Sequence, residues 1–327
     1  MRRFLGLFGD RQAAVRGLLF ALSGLSAYYF GYRAFSSVTA GHLIINWGYY
    51  YLLLVFSMFV YFAWKLANAR REVWRGWLRR PGWPGASILG GTAFAVWADT
   101  FKHKILFDEF VIQGTAYEMH ATKHVSTLLR AYNIGGTWLS IDTYLDKRPY
   151  FFPFLVSLLH DFTGYRVANM FALNVACAAA LLGLLYWFTR EIAGRPQALL
   201  AVAMMAMLPL FGQNASGAGM DLHNLTMIAL VGCLGVLYLR VPDGDRLSLF
   251  VLAAVLLSES RYESAIFMIP TAAIVLVGWF RAGRAVLPWA AIAAPLFMIP
   301  FAWHSLVRAA TPLFWQLPEG MTSAFGL

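Results

Sequence analysis

The sequence predicts an all-α membrane protein that crosses a bilayer about nine times, and three observations carry that prediction. Hydrophobic residues make up 60% of the chain and charged residues only 13%, well below the quarter usual in soluble domains. Apolar runs long enough to span a bilayer, or nearly so, recur from one end to the other. Aromatic residues reach 16%, with 12 Trp and 15 Tyr, the two side chains whose amphipathic rings suit the membrane–water interface.

The runs are 13–32, 43–64, 86–101, 168–189, 198–212, 222–239, 247–258, 264–280 and 286–303. The first is one of many rather than a lone apolar core before a cleavage site, so it reads as a retained span. Glu259, Arg261 and Glu263 interrupt the chain between the seventh and eighth runs. Cys177 and Cys233 sit inside apolar runs, where a thiol acts as a small core residue, with neither a disulfide framework nor metal-ligand spacing. No internal repeat is visible.

Cations near span ends set orientation. Arg2, Arg3, Arg11 and Arg16, then Lys65, Arg70, Arg71, Arg75, Arg79 and Arg80, then Arg190, Arg195, Arg240, Arg246, Arg281 and Arg284 all fall on one side. They are most of the 26 Lys and Arg, which places the N-terminus inside and the C-terminus outside. The net charge of +10 is thereby explained by topology and contact with anionic headgroups. Nucleic acid is not an expected partner, because no basic patch joins a recognisable binding motif.

Segment 102–167 is predicted to lie outside and is too long for a simple connection. Phe110, Gly114, Tyr117, Ala121, Val125, Leu128 and Tyr132 recur at steps of three and four, predicting an amphipathic helix. The apolar stretch 150–159 is too short to span and predicts a helix lying along the interface. The chain thus divides into 1–85, two N-terminal spans and a basic loop, 86–305, the main core, and 306–327, an outer C-terminal segment whose brevity fits a truncated chain.

Several residue groups carry candidate chemistry. Asp108 and Glu109 open the loop helix, where acids complement the dipole and a surface carboxylate can serve as a general base. Lys147 and Arg148 offer donors to phosphoryl oxygens. Asp221 and His223 lie at a span boundary, costly unless solvated or used. Arg261 is placed to bind a lipid phosphate, or to pair with Glu259 and Glu263 in a tight turn. His120 and His124 are four apart, a chelating spacing on a helix, although the sequence supplies no third ligand. No P-loop, Rossmann fingerprint or nucleophile elbow is present.

In layout the chain resembles the polytopic glycosyltransferases of the GT-C fold, the group that includes protein O-mannosyltransferases and lipid A aminoarabinose transferases. The matching stretches are Phe107-Asp108-Glu109-Phe110 and Asp146-Lys147-Arg148-Pro149-Tyr150-Phe151-Phe152-Pro153-Phe154-Leu155. The likeness spans about residues 86–305 and rests on the order of features more than on one motif. It implies an inverting transfer from a polyprenyl-phosphate sugar to a glycan, lipid or protein acceptor, on the periplasmic face of a bacterial inner membrane. Asp108, with Glu109, would be the catalytic acid or base. Lys147 and Arg148 would contact the donor phosphate, with Tyr117, Asp221, His223 and Arg261 completing the substrate-binding set. A divalent cation is compatible with these acids, but nothing in the sequence requires one. Lys-Arg-Pro replaces the family's Lys-Pro-Pro, two additional spans come first, and the expected C-terminal part is missing. Competing readings are a transporter and a non-catalytic membrane scaffold.

Overall fold

The computed structural model describes residues 11–69, 71, 72, 75, 82–135 and 137–310. Arg2, Arg3, Arg70, Arg79 and Arg80, used above for orientation, and residues 311–327 lie outside that set. Of the described residues, 78% are helical, which satisfies the backbone where lipid offers it no hydrogen bonds.

Two long helices, α1 (Arg11–Tyr32) and α2 (Ser37–Ala69), precede the shorter α3 (Gly82–Trp97). Segment 102–167 follows, with α4 (Leu106–Ala121), β1 (Thr127–Ile134), β2 (Thr137–Tyr144) and α5 (Phe151–Thr163). Then come α6 (Ala168–Ala193), α7 (Arg195–Ala206), α8 (Pro209–Ala215), α9 (Asp221–Arg240) and α10 (Gly244–Ser258). A 3₁₀ turn (Tyr262–Phe267) leads to α11 (Met268–Ala282), α12 (Trp289–Phe297) and α13 (Ile299–Ala310).

Every apolar run of the sequence becomes helical, but among the described residues six helices are long and apolar enough to cross a membrane. The bent pair α7–α8, which turns by 70°, makes a seventh if it counts as one span. This is a multi-pass membrane protein. The runs at 86–101 and 247–258 become helices of 16 and 15 residues, short of the roughly 20 that a bilayer core needs.

Helix α10 forms the centre of the larger core. Every residue from Leu247 to Ser258 is buried, and α10 packs on α2, α9, α11 and α12. A helix apolar on all faces is stable only when so surrounded or in lipid. Close approach is bought by small residues: a methyl group at Gly278 of α11 would overlap the Tyr238 ring of α9. Pro295 inside α12 cannot donate to the helix, and the helix breaks before α13. A second core joins α3, α6, α7 and α8 through Ala95, Leu182, Val202 and Phe211.

Within segment 102–167, the amphipathic helix expected over 110–132 is cut short. It stops at Ala121, Thr122 caps it, and Lys123 turns the chain at φ 61°. Residues 127–144 form an antiparallel hairpin in which Thr127 faces Tyr144, Tyr132 faces Leu139 and Ile134 faces Thr137. Step-three periodicity therefore misreads this stretch. The overlooked signal is the β-branched and aromatic content on both sides of Gly135-Gly136, a hairpin pattern.

The stretch at 150–159 does form a helix, but α5 buries Phe151, Phe152, Phe154 and Val156 within protein. Helices α4 and α5 lie side by side in the same direction. Asp108 meets Arg148 at their starts, and His120 meets Asp161 at their ends. The segment is anchored on α2, where the Val125 amide donates to the Ile45 carbonyl at 2.9 Å. Gly48 permits this, since a Cβ there would stand 2.8 Å from Val125 Cγ2.

Candidate active site at the start of α5

Most of the sequence-predicted residues converge where α5 begins. The first turn of α4 presents Asp108 and Glu109 with different fates. Asp108 remains reachable, its side chain 44% exposed, and it pairs with Arg148. Arg148 also grips Asp146, donating from Nη1 to Oδ1 at 2.9 Å and to Oδ2 at 3.1 Å, while its amide donates to Oδ2 at 3.0 Å. Burial alone would lower the Arg148 guanidinium, but the carboxylates of Asp146 and Asp108 outweigh it and raise it. Lys147 is half-buried beside this knot.

Glu109 is only 2% exposed, and its oxygens receive two backbone amides. Lys104 N–H donates to Oε2 at 2.8 Å and Ala218 N–H to Oε1 at 3.3 Å. The carboxylate thus staples the approach to α4 onto the Gly217-Ala218-Gly219 loop. A Cβ on either glycine would stand 3.5 Å from Glu109 Oε1, while Asn174 Nδ2 holds the Gly217 and Gly219 carbonyls at 2.9 and 2.8 Å.

That loop delivers α9, whose first residue Asp221 pairs with Arg261. Arg261 Nε lies 3.5 Å from a Glu263 oxygen, but its N–H has no hydrogen-bond partner. Glu259 does not join this turn as the sequence suggested. It points inward, 1% exposed, and its carbonyl receives the Phe151 amide at 3.0 Å, tying the turn to the first residue of α5. One carboxyl oxygen of Glu259 lacks a partner, and burial pushes the group up to about 8.

His223 is 2% exposed and packs against the rings of Phe151 and Phe152 at 5.1 and 5.5 Å. Neither of its nitrogens has a partner. Tyr150 is also buried with an unpartnered hydroxyl, its ring 5.0 Å from His304, which donates from Nε2 to the Asp146 carbonyl at 3.3 Å. A cluster of buried polar atoms without partners lies beside two half-buried Arg–Asp pairs. Buried polar atoms are normally satisfied, so these mark a place for water or ligand. Tyr150 and His304 were overlooked in the sequence because each looks like an ordinary core or interface residue, and Glu259 was singled out only as a turn partner of Arg261.

Three predicted residues fall elsewhere. Tyr117 lies nine positions along α4 from Asp108, about 14 Å at 1.5 Å per residue, and packs on Tyr165. His120 and His124 do not share a helical face, because α4 ends between them. His120 Nδ1 instead meets Asp161 at 2.6 Å. Among the described residues no three His, Cys, Asp or Glu side chains form a metal-holding group. Asp108 and Asp221 each face an arginine rather than one another.

Compared with known proteins, the chain matches no family model, no characterised protein and no solved structure.

Proposed function

We propose that this protein is a membrane glycosyltransferase that moves a sugar from a polyprenyl-phosphate donor to an acceptor hydroxyl. The supporting observation is the pairing of Asp108 with Arg148 and of Asp221 with Arg261 around the start of α5, beside buried polar atoms without partners. A phosphate leaving group needs cations, and an attacking hydroxyl needs a base, close together.

In this reading the acceptor oxygen bonds to the anomeric carbon as the bond from that carbon to the phosphate oxygen breaks. The phosphate leaves with the electron pair, and the configuration inverts. Arg148, Lys147 and Arg261 hold the departing charge, exchanging carboxylate partners for phosphoryl oxygens. Asp108, freed from Arg148, accepts the hydroxyl proton, and Asp221 orients the acceptor. Glu109 is a positioning residue here, since its oxygens already hold two amides. The reading keeps nine crossings, with α3 and α10 as short inner spans, and places the site on the periplasmic side of a bacterial inner membrane.

The test is sugar release from a polyprenyl-phosphate donor by the purified chain beside its Asp108→Asn variant. Release by the wild type and its loss in the variant support the proposal. Equal release by both removes Asp108 from the chemistry, and no release by folded wild type overturns the proposal. The 70° break between α7 and α8 favours a transporter as the second reading, because discontinuous helices line many transport sites. Solute uptake into proteoliposomes without sugar release would establish it.

A further inference from the structure

The hairpin at 127–144 turns one face to the protein and the other away from it. Gly114 of α4 lies against the Leu128 backbone, where a Cβ would stand 3.3 Å from the carbonyl oxygen, and Ala131 lines a cleft with Tyr117 and Tyr165. Side chains alternate across a strand, so Tyr132 and Ile134 point away from the face that carries Ala131. Leu139 is the ladder partner of Tyr132 and shares its face. These three, with Ile141 further along β2, are each more than half exposed. The two charged residues of the hairpin, Arg130 and Asp142, pair with each other at 2.9 Å. An uncharged ridge of four large apolar side chains marks contact with lipid or with protein.

Helix α2 fixes the level at which that ridge stands. Trp47 and Tyr50 toward one end of the helix, and Tyr61 and Trp64 toward the other, are each more than half exposed. No charged residue lies between the two pairs. Trp47 and Trp64 are 17 positions apart, about 26 Å along the helix at 1.5 Å per residue, close to the roughly 30 Å of a hydrocarbon core. Tyr and Trp gather at both boundaries of that core, so Trp47 and Tyr50 mark the boundary on the side of segment 102–167.

Both ends of the hairpin are pinned at this boundary. Val125, two residues before β1, donates its amide to the Ile45 carbonyl and fills the space over Gly48. Leu145, directly after β2, lies on Gly41, where a Cβ would stand 3.6 Å from Leu145 Cδ2. Gly41 and Gly48 are seven positions apart, about 10 Å along α2, and Trp47 falls between them. The hairpin therefore leaves α2 where the lipid-facing surface of that helix meets the headgroups. Headgroups accept apolar and aromatic side chains while water still reaches the strand edges.

We propose that the hairpin is a membrane-docking element, with its Tyr132, Ile134, Leu139 and Ile141 face lying in the interface of the phospholipid leaflet beside α2. Docking holds segment 102–167 against the bilayer. The proposal does not rest on the transferase reading.

The experiment uses the full chain in phospholipid nanodiscs. A nitroxide label is attached at Tyr132→Cys, Ile134→Cys or Leu139→Cys, and on the opposite face at Asn133→Cys or Ser140→Cys. Cys177 and Cys233 are buried, and wild type treated with the label supplies the baseline. Electron paramagnetic resonance then reads collisions with oxygen, which concentrates in lipid, and with a nickel chelate confined to water. Oxygen is expected to dominate at 132, 134 and 139, and the nickel chelate at 133 and 140. In a second variant, Ile134→Asp with Leu139→Asp, the label at 132 is expected to reverse to nickel dominance without a change in melting temperature, since both side chains are exposed. Nickel dominance at all five positions would place the ridge in water and overturn the proposal. Weak collisions with both reagents at 132, 134 and 139 would mean that protein, such as a second copy of the chain, covers the ridge, and would overturn it equally. So would a label at 132 that the paired aspartates leave unmoved.

Discussion

Arg148 reaches Asp108 across forty positions of sequence while keeping two bonds to Asp146. One planar guanidinium thus locks the start of α4 to the approach to α5. A planar fork of fixed donors grips one carboxylate with two bonds while reaching a second, a geometry that the point charge of an ammonium does not fix. In the proposed transfer, this arrangement holds a cation beside an acid until the donor phosphate competes for it.

Arg148→Lys is therefore expected to be far from conservative. It should lower sugar release on the order of 100-fold, as loss of an electrostatic stabiliser does. Arg148→Ala should in addition destabilise by about 1–3 kcal/mol, less than the loss of a fully buried pair because the arginine side chain is 22% exposed. Thermal unfolding in nanodiscs measures the second effect. An unshifted melting curve for the alanine variant would show that the knot contributes nothing to the fold.

Glu109→Gln separates stapling from catalysis. The amide keeps one acceptor oxygen but turns an NH₂ toward a backbone N–H, a mismatch costing about 1–3 kcal/mol. Lower thermal stability is expected, with the pH profile of the remaining sugar release unchanged. A shifted profile would instead give Glu109 a part in proton transfer.

Glu259 makes stability depend on pH in a defined window. Burial raises its folded pKa from 4.5 to about 8, so the folded state binds the proton more tightly than the unfolded state. Its contribution is fully present below pH 4.5, falls as pH rises, and is lost above about 8. Glu259→Gln should flatten that slope between pH 5 and 8. The comparison is of melting midpoints of both proteins at the two pH values, and parallel declines would mean that Glu259 is not the titrating group.

Glycines that allow helices to touch should behave differently from those that face open space. Gly278→Ala places a methyl group against the Tyr238 ring and should destabilise by about 1–3 kcal/mol, as overpacking does. Gly232→Ala meets nothing within 4 Å and should be neutral or slightly stabilising, since alanine favours a helix. Equal melting temperatures for the two variants would remove the close-packing account of α9 against α11.

The sequence by itself determined that the chain is a helical membrane protein, because hydropathy and span length are local properties. It also singled out Asp108, Arg148, Asp221 and Arg261, since charges beside apolar runs stand out. Only the tertiary structure decided their partners: the turn after α10, the loop before α9 and the segment before α5 come together through contacts such as Glu259 O with Phe151 N and Glu109 with Ala218. The hairpin at 127–144 was likewise hidden, because the periodicity of three and four that continues past Ala121 ignores the competing cross-strand pairing. Glu259 and His223 show the same limit. Burial with no partner arises from the packing of distant helices, so an isolated stretch of sequence contains no signal for it.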